Sequence, residues 1–297
     1  MFLQRNFDFK VWSDKFLRHL RRKNYSGETI SGYTKDLEKF SRFVYERYEG
    51  FILVEEINTG DIQDYMDFLK EIEGYKVNSI ARHLCTLKSF FKFLVNEMNF
   101  KDNPAVKIQK PKSHTPLPQV LSIEEVEALL NSAKEVSYYL YVMFNFIYYT
   151  GTRVSPARTL LKQHVDIQNE KVYFPYIKGG RDLFLPLHPK LTTILEQFLD
   201  LTKHNGSDYV FTSPKNKFQP VGAEYIRYHL KKIAKKANIT KKVTPHILRH
   251  SVATHLTVLG VKQAYISEFL GHVDLRSTNR YQHLNVGNLM EAVVKLK

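Results

Sequence analysis

Residues 244–284, TPHILRHSVATHLTVLGVKQAYISEFLGHVDLRSTNRYQHL, carry the strongest structural pattern in the sequence. The pattern predicts a helix with Thr244 as its N-cap and Pro245 in its first turn. His246 and Arg249 are three residues apart, so on that helix they share a face and can point at one object. Apolar residues elsewhere on the helix predict a face that packs on the core.

The same stretch continues into a second helix and then to a tyrosine. Gly260 is expected to end the first helix, and a second helix over Lys262 to Leu270 is expected to end at Gly271. His272 begins the following loop, and Tyr281 comes nine residues later. A tyrosine near arginine and histidine indicates a phenol that reacts with, or binds, a phosphate.

The charge balance favours a polyanionic partner. The 297-residue chain has a formal net charge of +14. Residues 1–110 hold 19 Lys and Arg against 16 Asp and Glu, and residues 111–297 hold 25 against 14. Such an excess suits the phosphate backbone of DNA through release of counterions, although a solvated lysine-rich surface has the same composition.

The composition also narrows the class of protein. The sequence contains no run of about 18 apolar residues, so no transmembrane helix is expected. The first residues, MFLQRNFDFKVW, lack the apolar core of a secretory signal. Cys85 is the single cysteine, which excludes an internal disulfide and a cysteine-based metal cluster. We expect a cytoplasmic protein of two domains.

Residues 1–106 are predicted to form a compact helical domain. Ser26 and Asp61 are the expected N-caps of its second and third helices, and the fourth opens at Asn78 or Ser79. The polar face of that fourth helix is predicted to carry Arg82, His83, Lys88 and Lys92. Residues 107–119, KIQKPKSHTPLPQ, contain three prolines and little to bury, which predicts an extended linker.

Residues 120–297 are predicted to form the second domain. Ser122 and Glu125 have the spacing of a capping box, and Val136 to Tyr149 is apolar enough to be a buried helix. Arg153 follows that helix, where a charge is costly unless it meets an anion. The alternative is an ion pair between Arg153 and a carboxylate such as Asp166.

Strands and two further helices are expected after residue 170. Residues 171–187 predict a hairpin whose Gly-Gly turn projects Lys178 and Arg181. Leu191 to Leu201 predicts an amphipathic helix, and Tyr209 to Phe211 a short strand. Tyr225 to Ala237 predicts a helix with a dense basic face.

The sequence resembles the tyrosine recombinases, the integrase and Xer-like family of DNA strand-exchange enzymes. Five pieces occur in the family's order: TGTRVS at 150–155, KGGRDLFLPL at 178–187, HILRH at 246–250, LGH at 270–272 and STNRYQHL at 277–284. Residues 26–40 and 79–94 resemble the family's core-binding domain, so the resemblance covers nearly the whole chain. It implies a mainly α fold with a small β-sheet (α+β), in which a helical SAM-like core-binding domain and a catalytic domain close on DNA as a C-shaped clamp.

The resemblance also implies roles for individual residues. Arg153 and Arg249 are expected to clamp the non-bridging oxygens of the scissile phosphate, which suits the planar arginine fork. His272 is expected to add a hydrogen bond to that phosphate, and His246 to assist proton transfer or orientation.

The two remaining roles concern the bond that breaks. Lys178 is expected to be the general acid that protonates the departing 5′ oxygen. Tyr281 is expected to be the nucleophile and to leave a 3′-phosphotyrosyl link, which conserves the energy of the broken ester and needs neither ATP nor metal. The resemblance therefore implies no cofactor.

The sequence departs from the family's pattern at two places. The family usually has an acidic residue three places after its first arginine, and here that place is Pro156, with Arg158 following. Leu183 stands in the hairpin where the family often has a basic residue. Neither departure removes a group from the implied reaction.

Two other interpretations of the histidines and basic residues stay open at this point. His246 and His250 are four apart on a helix and could bind a metal together with His255 or His272, although His250 and His255 suit helix packing better. The basic residues could be ordinary solvated surface. As DNA contacts we predict Arg82, Lys88, Arg181, Arg227, Lys231 and Lys235.

The expected partner is double-stranded DNA with paired inverted-repeat half-sites, bound by a homotetramer on two sites, with or without a second recombinase or accessory protein. The tail after Tyr281, NVGNLMEAVVKLK, is long enough for a helix that docks into a neighbouring subunit, or else packs on its own domain. The expected function is Xer-like resolution, or integration and excision of a mobile element. The alternatives are relaxation of DNA like that by a type IB topoisomerase, and a DNA-binding protein with impaired catalysis.

Overall fold

The structure is a computed structural model that describes residues 2–50, 53–111, 119–177, 181–271, 293, 294 and 296. The chain divides into two compact units, Met1–Pro116 and Leu117–Lys297, each with its own hydrophobic core. The prediction of a mainly helical chain with a small β-sheet is confirmed. Among the described helices, none is long and apolar enough to cross a membrane.

The described part of the first unit is built from four α-helices and one 3-10 turn. Their bounds are α1 Phe2–Arg22, α2 Gly27–Arg47, the 3-10 turn Val54–Glu56, α3 Thr59–Glu71 and α4 Val77–Met98. Apolar residues at helical spacing bury one face of each helix, and Phe16, Phe40 and Phe90 are among the fully buried rings. The core of this unit therefore combines aromatic rings with aliphatic side chains between the helices.

The caps of these helices follow the sequence with one correction. Ser26 Oγ accepts a hydrogen bond from the backbone N–H of Thr29 at 3.2 Å, as predicted. The N-cap of α3 is Asn58, not Asp61, because Asp61 occupies the third helical position and accepts from Asn58 N at 2.9 Å. The two side chains form a reciprocal capping box, so the prediction for Asp61 was wrong by three positions.

His83 is buried, and the prediction that it lies on the polar face of α4 is wrong. Its side chain is about 3% exposed; Nε2 lies 3.3 Å from Asp36 Oδ1, and Nδ1 lies 3.0 Å from the Tyr65 hydroxyl. Arg82 Nη2 lies 3.4 Å from the same Nε2. His83 therefore belongs to a polar network inside the first unit.

The second unit packs helices around a small antiparallel sheet. Its helices are α5 Ile123–Val136, α6 Tyr138–Thr150, α7 Val154–Arg158, α8 Pro189–Thr202, α9 Ala223–Lys236, α10 Pro245–Val258 and α11 Gln263–Phe269. Its strands are β1 Val165–Asp166, β2 Lys171–Ile177 and β3 Arg181–Pro186, in the order β1-β2-β3. Helix α6 is central, because it packs against α5, α8 and α10.

Some predicted elements of this unit have different bounds. Ser137 is extended and separates α5 from α6, so the buried helix begins at Tyr138 and not at Val136. The capping box of Ser122 and Glu125 is confirmed. Tyr209 to Phe211 is not a regular strand, because it is held by isolated bridges such as that between Leu161 and Tyr209.

The predicted hairpin is confirmed in its two strands. Val172 lies opposite Leu185 and Tyr173 opposite Phe184, with the last two rings stacked 4.7 Å apart. The turn at residues 178–180 lies outside the described residues.

Two residues of the tail pack within their own unit. Val293 is fully buried and Leu296 is 2% exposed, and both belong to the core cluster of the second unit. In the single chain these two residues therefore pack on their own domain, which was the alternative to docking in a neighbouring subunit.

Gly151 ends α6 in a left-handed conformation that favours glycine, at a place with no room for a Cβ. Its φ is +58°, and a Cβ placed there would lie 2.6 Å from Leu270 Cδ2 and 3.3 Å from Phe269 Cε1. Both neighbours are buried, so neither can move freely aside. The end of α6 and the end of α11 therefore approach each other through a glycine.

We expect Gly151→Ala to lower the free energy of unfolding by roughly 1–3 kcal/mol, because it adds backbone strain and overpacks the contact with Leu270. Urea denaturation of the full chain measures this. Gly32→Ala is the matched control: Gly32 lies inside α2 with nothing within 4 Å of an added Cβ, so stability should stay level or rise by about 0.5–1 kcal/mol. Equal effects of the two substitutions would contradict the close approach at Gly151.

Candidate active site

The helix α10 presents polar groups on one side and packs on the core with the other. Thr244 Oγ1 accepts a hydrogen bond from Ile247 N at 3.2 Å and Pro245 occupies the first turn, which confirms the predicted N-terminus. Leu248 is among the fully buried residues of the helix. His246 and Arg249 are separated by nearly one helical turn. Because the cap sets the residue at which α10 begins, it also sets the positions of both residues on the helix.

Arg249 is buried and held by two backbone carbonyls. The residue as a whole is only 6% exposed. Nη1 donates to the carbonyl of Gly151 at 2.7 Å, and Nη2 donates to that of Leu270 at 2.6 Å. The guanidinium thus joins α10 to the ends of α6 and α11, and its remaining N–H donors have no partner among the described residues.

Arg153 adds a second positive charge beside Arg249. Burial, and then the charge of Arg153, lower the pKa of Arg249 to about 10, so it stays protonated at neutral pH. Arg153 is the N-cap of α7, and the described residues provide no hydrogen-bond or ion-pair partner for its side chain. Two neighbouring guanidinium groups without a carboxylate between them favour an anion at this place.

The alternative pairing of Arg153 with Asp166 is wrong. The carboxylate of Asp166 accepts from Asn169 N at 3.0 Å and from Asn169 Nδ2 at 2.9 Å, and it lies 3.5 Å from Lys171 Nζ. Asp166 therefore closes the turn between β1 and β2.

His246 is exposed and lies in the same positive region. Partial desolvation of the ring lowers its pKa below the ordinary 6.5, and the charges of His250, Arg249, Arg153 and Arg227 lower the pKa further. The ring is therefore neutral at physiological pH, and it can accept a proton or donate one hydrogen bond to a phosphate oxygen.

The other histidines of α10 do not complete a metal site. The Tyr148 hydroxyl lies 3.0 Å from His255 Nδ1, and the Leu121 carbonyl lies 2.9 Å from Nε2, so both nitrogens of this buried ring have partners. His250 is exposed, so the prediction that it packs inside is wrong. Within the described ranges no group of three His, Cys, Asp or Glu could hold a metal ion.

Three of the six predicted catalytic residues, Lys178, His272 and Tyr281, lie outside the described residues. The structure brings the other three, Arg153, His246 and Arg249, into one positive region. Sequence reasoning missed the carbonyls of Gly151 and Leu270, since backbone acceptors leave no mark on side-chain patterns.

Pro156 lies in the first turn of α7, where a proline costs no helical hydrogen bond. It supplies no carboxylate to Arg153. Arg158, two residues on, instead donates to the carbonyl of Val221 at 3.3 Å and ties α7 to the segment before α9.

Three of the predicted DNA contacts have partners within the protein, and two have no ion pair among the described residues. Lys88 Nζ donates to the carbonyls of Ile108 at 2.7 Å and Val106 at 3.3 Å, so it stabilises the chain after α4. Arg82 pairs with Asp36, and Arg227 with Glu224. Lys231 and Lys235 are exposed and have no ion pair among the described residues, and the side chain of Arg181 lies outside what the structure describes.

Comparison with known proteins defines the class. Residues 119–287 match the model of the phage integrase family, and residues 14–98 match the phage integrase N-terminal SAM-like domain. The chain belongs to the phage integrase family, the tyrosine recombinases.

Xer recombinases are among the similar proteins of this family. The chain is 33% identical over 287 residues to tyrosine recombinase XerC of Bacillus pumilus, covering 92% of each protein. It is 32% identical over 284 residues to tyrosine recombinase XerD of Listeria innocua, covering 91% of this chain and 93% of that protein.

Solved structures share the fold. The crystal structure of XerA recombinase matches with a TM-score of 0.51 at 27% identity, over 95% of this chain and 96% of that one. The lambda integrase tetramer bound to a Holliday junction matches with a TM-score of 0.70 at 16% identity, over 93% and 80%. XerH bound to its difH substrate before cleavage matches with a TM-score of 0.68 at 20% identity, over 94% and 83%.

We expect His246 to titrate below 6.5 in the free protein, and Arg153→Ala to raise its pKa because a neighbouring positive charge is removed. Histidine ring resonances followed by NMR across pH measure this, with His246→Gln to assign the signal. Lys231→Ala removes a charge that is not among the main causes of the lowered pKa, so the pKa of His246 should change much less than in Arg153→Ala. A wild-type value at or above 6.5 would contradict the positive, partly desolvated site.

Proposed function

We propose that this site-specific DNA recombinase cleaves and rejoins DNA through a 3′-phosphotyrosyl intermediate on Tyr281. The observation that carries the proposal is the buried Arg249 guanidinium, which two carbonyls fix next to Arg153 without an acidic partner among the described residues. A phosphodiester brings the negative charge that these two groups require.

The proposed reaction is a transfer of the phosphoryl group between oxygens. The Tyr281 oxygen forms a bond to phosphorus as the bond from phosphorus to the 5′ oxygen breaks. Negative charge grows on the non-bridging oxygens, and Arg153 and Arg249 stabilise it from fixed positions. His272 adds a further hydrogen bond to the same oxygens.

Protons are moved by two other groups. Lys178 gives a proton to the departing 5′ oxygen, and His246, neutral at physiological pH, accepts the phenol's proton or orients the phosphate. A 5′ hydroxyl from a second DNA strand then attacks the phosphotyrosyl ester and releases Tyr281. The ester conserves the energy of the broken bond, so the proposed cycle uses neither ATP nor a metal.

The proposed substrate is duplex DNA with paired inverted-repeat half-sites, bound by four copies of the chain across two sites. The lambda integrase tetramer on a Holliday junction, which shares this fold, supports that assembly. Relatives named XerC and XerD support Xer-like resolution over integration or excision. The proposed place of action is the nucleoid. Topoisomerase-like relaxation and a purely DNA-binding role are not favoured.

We expect Tyr281→Phe to abolish covalent capture of DNA and to leave DNA binding nearly unchanged, because only the attacking oxygen is lost. The substrate is a suicide duplex, nicked near the crossover, made from DNA flanking the gene. Denaturing gels detect the adduct and gel shifts measure binding. Tyr265→Phe removes a hydroxyl from a partly buried tyrosine of α11 and should keep full capture.

An adduct that persists in Tyr281→Phe would assign the nucleophile to another residue. Specific binding without any adduct in the wild type would contradict the proposed chemistry. In that case Pro156→Glu would test whether the missing carboxylate is the cause.

A further inference from the structure

Asp36 is a buried carboxylate whose partners all come from one neighbouring helix. It is 1% exposed on α2, and a lone carboxylate at such burial is strongly destabilising. Thr86 Oγ1 donates to its Oδ2 at 2.8 Å, and Arg82 Nη1 donates to its Oδ1. His83 Nε2 lies 3.3 Å from the same Oδ1. The three partners lie within five residues of α4.

Arg82 is the partner that also reaches solvent. Its side chain is 51% exposed although it is tied to a carboxylate that is 1% exposed. His83 is neutral, because burial is the largest influence on its pKa and lowers it, so Arg82 supplies the positive charge that Asp36 needs. Arg82 Nη2 also lies 3.4 Å from His83 Nε2. One edge of the guanidinium is thus anchored inside the unit, while half of the side-chain surface stays open to a partner.

The other cations on the polar side of α4 do not combine these properties. Lys88 is committed to two backbone carbonyls. Lys92 is exposed and has no partner among the described residues, so its ammonium is free to move. Arg82 is therefore both fixed and accessible.

A fixed arginine whose charge is partly neutralised is better suited to bases than to phosphates. Phosphate contacts depend on net charge, which Asp36 reduces, and a mobile lysine makes them as well. Contacts to guanine O6 and N7 depend instead on the direction of the planar fork. A fork held by a buried carboxylate loses little freedom on binding.

We propose that Arg82 is a specificity-determining residue that reads a guanine in the major groove of the target DNA, and that Asp36 and Thr86 are positioning residues for it. This rests on the proposed function only in that the chain must bind duplex DNA. Arg82 should thus fix one base of each half-site and contribute little to general affinity.

The test selects binding sites for the full chain from a library of random-sequence duplexes. The variants are Arg82→Lys, which keeps the charge beside Asp36, and Arg82→Gln, which keeps a donor to it. Lys92→Ala is the matched control on the same helix. Thermal unfolding of each variant verifies that it is folded.

We expect both Arg82 variants to lose discrimination for guanine at one position of each half-site, by roughly 5- to 150-fold, with the other positions unchanged. The salt dependence of binding should stay as in the wild type. Lys92→Ala should keep every base preference, and lower the salt slope by about one if Lys92 contacts a phosphate. Asp36→Asn should weaken the same guanine preference as the Arg82 variants.

Two results would overturn the proposal. One is an unchanged motif in folded Arg82→Lys and Arg82→Gln. The other is a loss of affinity that is equal for all sequences and accompanied by a smaller salt slope in Arg82→Gln, which would make Arg82 a phosphate contact. Failure of the wild type to bind any duplex would contradict the proposed function itself. That outcome differs from the two results above, in which the wild type binds DNA.

Discussion

The second unit depends on hydrogen bonds that hold one buried cation. A guanidinium that is 6% exposed is costly unless its donors find partners, and Arg249 finds two in the carbonyls of Gly151 and Leu270. Those carbonyls are available because α6 and α11 both end at this point, where helices leave carbonyl groups unpaired. The close approach of Gly151 to Leu270 follows from the same geometry. The ends of two helices, α6 and α11, therefore fix one arginine of a third helix, α10, and that arginine fixes where the three helices meet.

The two units use a buried charge in opposite ways. In the second unit the cation is buried and neutral carbonyls hold it, so its full charge remains for an anion. In the first unit the anion, Asp36, is buried, and the cation that balances it, Arg82, is half exposed. A carbonyl-held arginine suits the stabilisation of developing charge, since nothing neutralises it. A carboxylate-held arginine keeps its direction and loses part of its charge, which suits recognition of shape and hydrogen-bond pattern.

Local patterns in the sequence were enough for elements whose signal is local. The cap at Thr244, the capping box at Ser122 and the strands of the hairpin depend on neighbours within a few residues, and each formed as predicted. His83 was misplaced because its burial depends on Tyr65 and Asp36, from two other helices. A signal for Asp36 did exist: it lies on the apolar side of α2 between Tyr33 and Phe40, where a charge needs a partner. The partner's identity is a tertiary contact, which periodicity does not encode.

Pro156 shows how the same site is held without the acid that the family usually has there. A carboxylate three residues after Arg153 would share its charge and lower the positive potential near Arg249. Without it, α7 is held through the bond from Arg158 to the carbonyl of Val221, which adds no negative charge to the site. The pKa of Arg249, lowered by burial and by Arg153, reflects two cations that repel each other in the free protein. A bound phosphate relieves that repulsion, so part of the energy of DNA binding comes from the loss of an unfavourable interaction that the acid would otherwise have reduced.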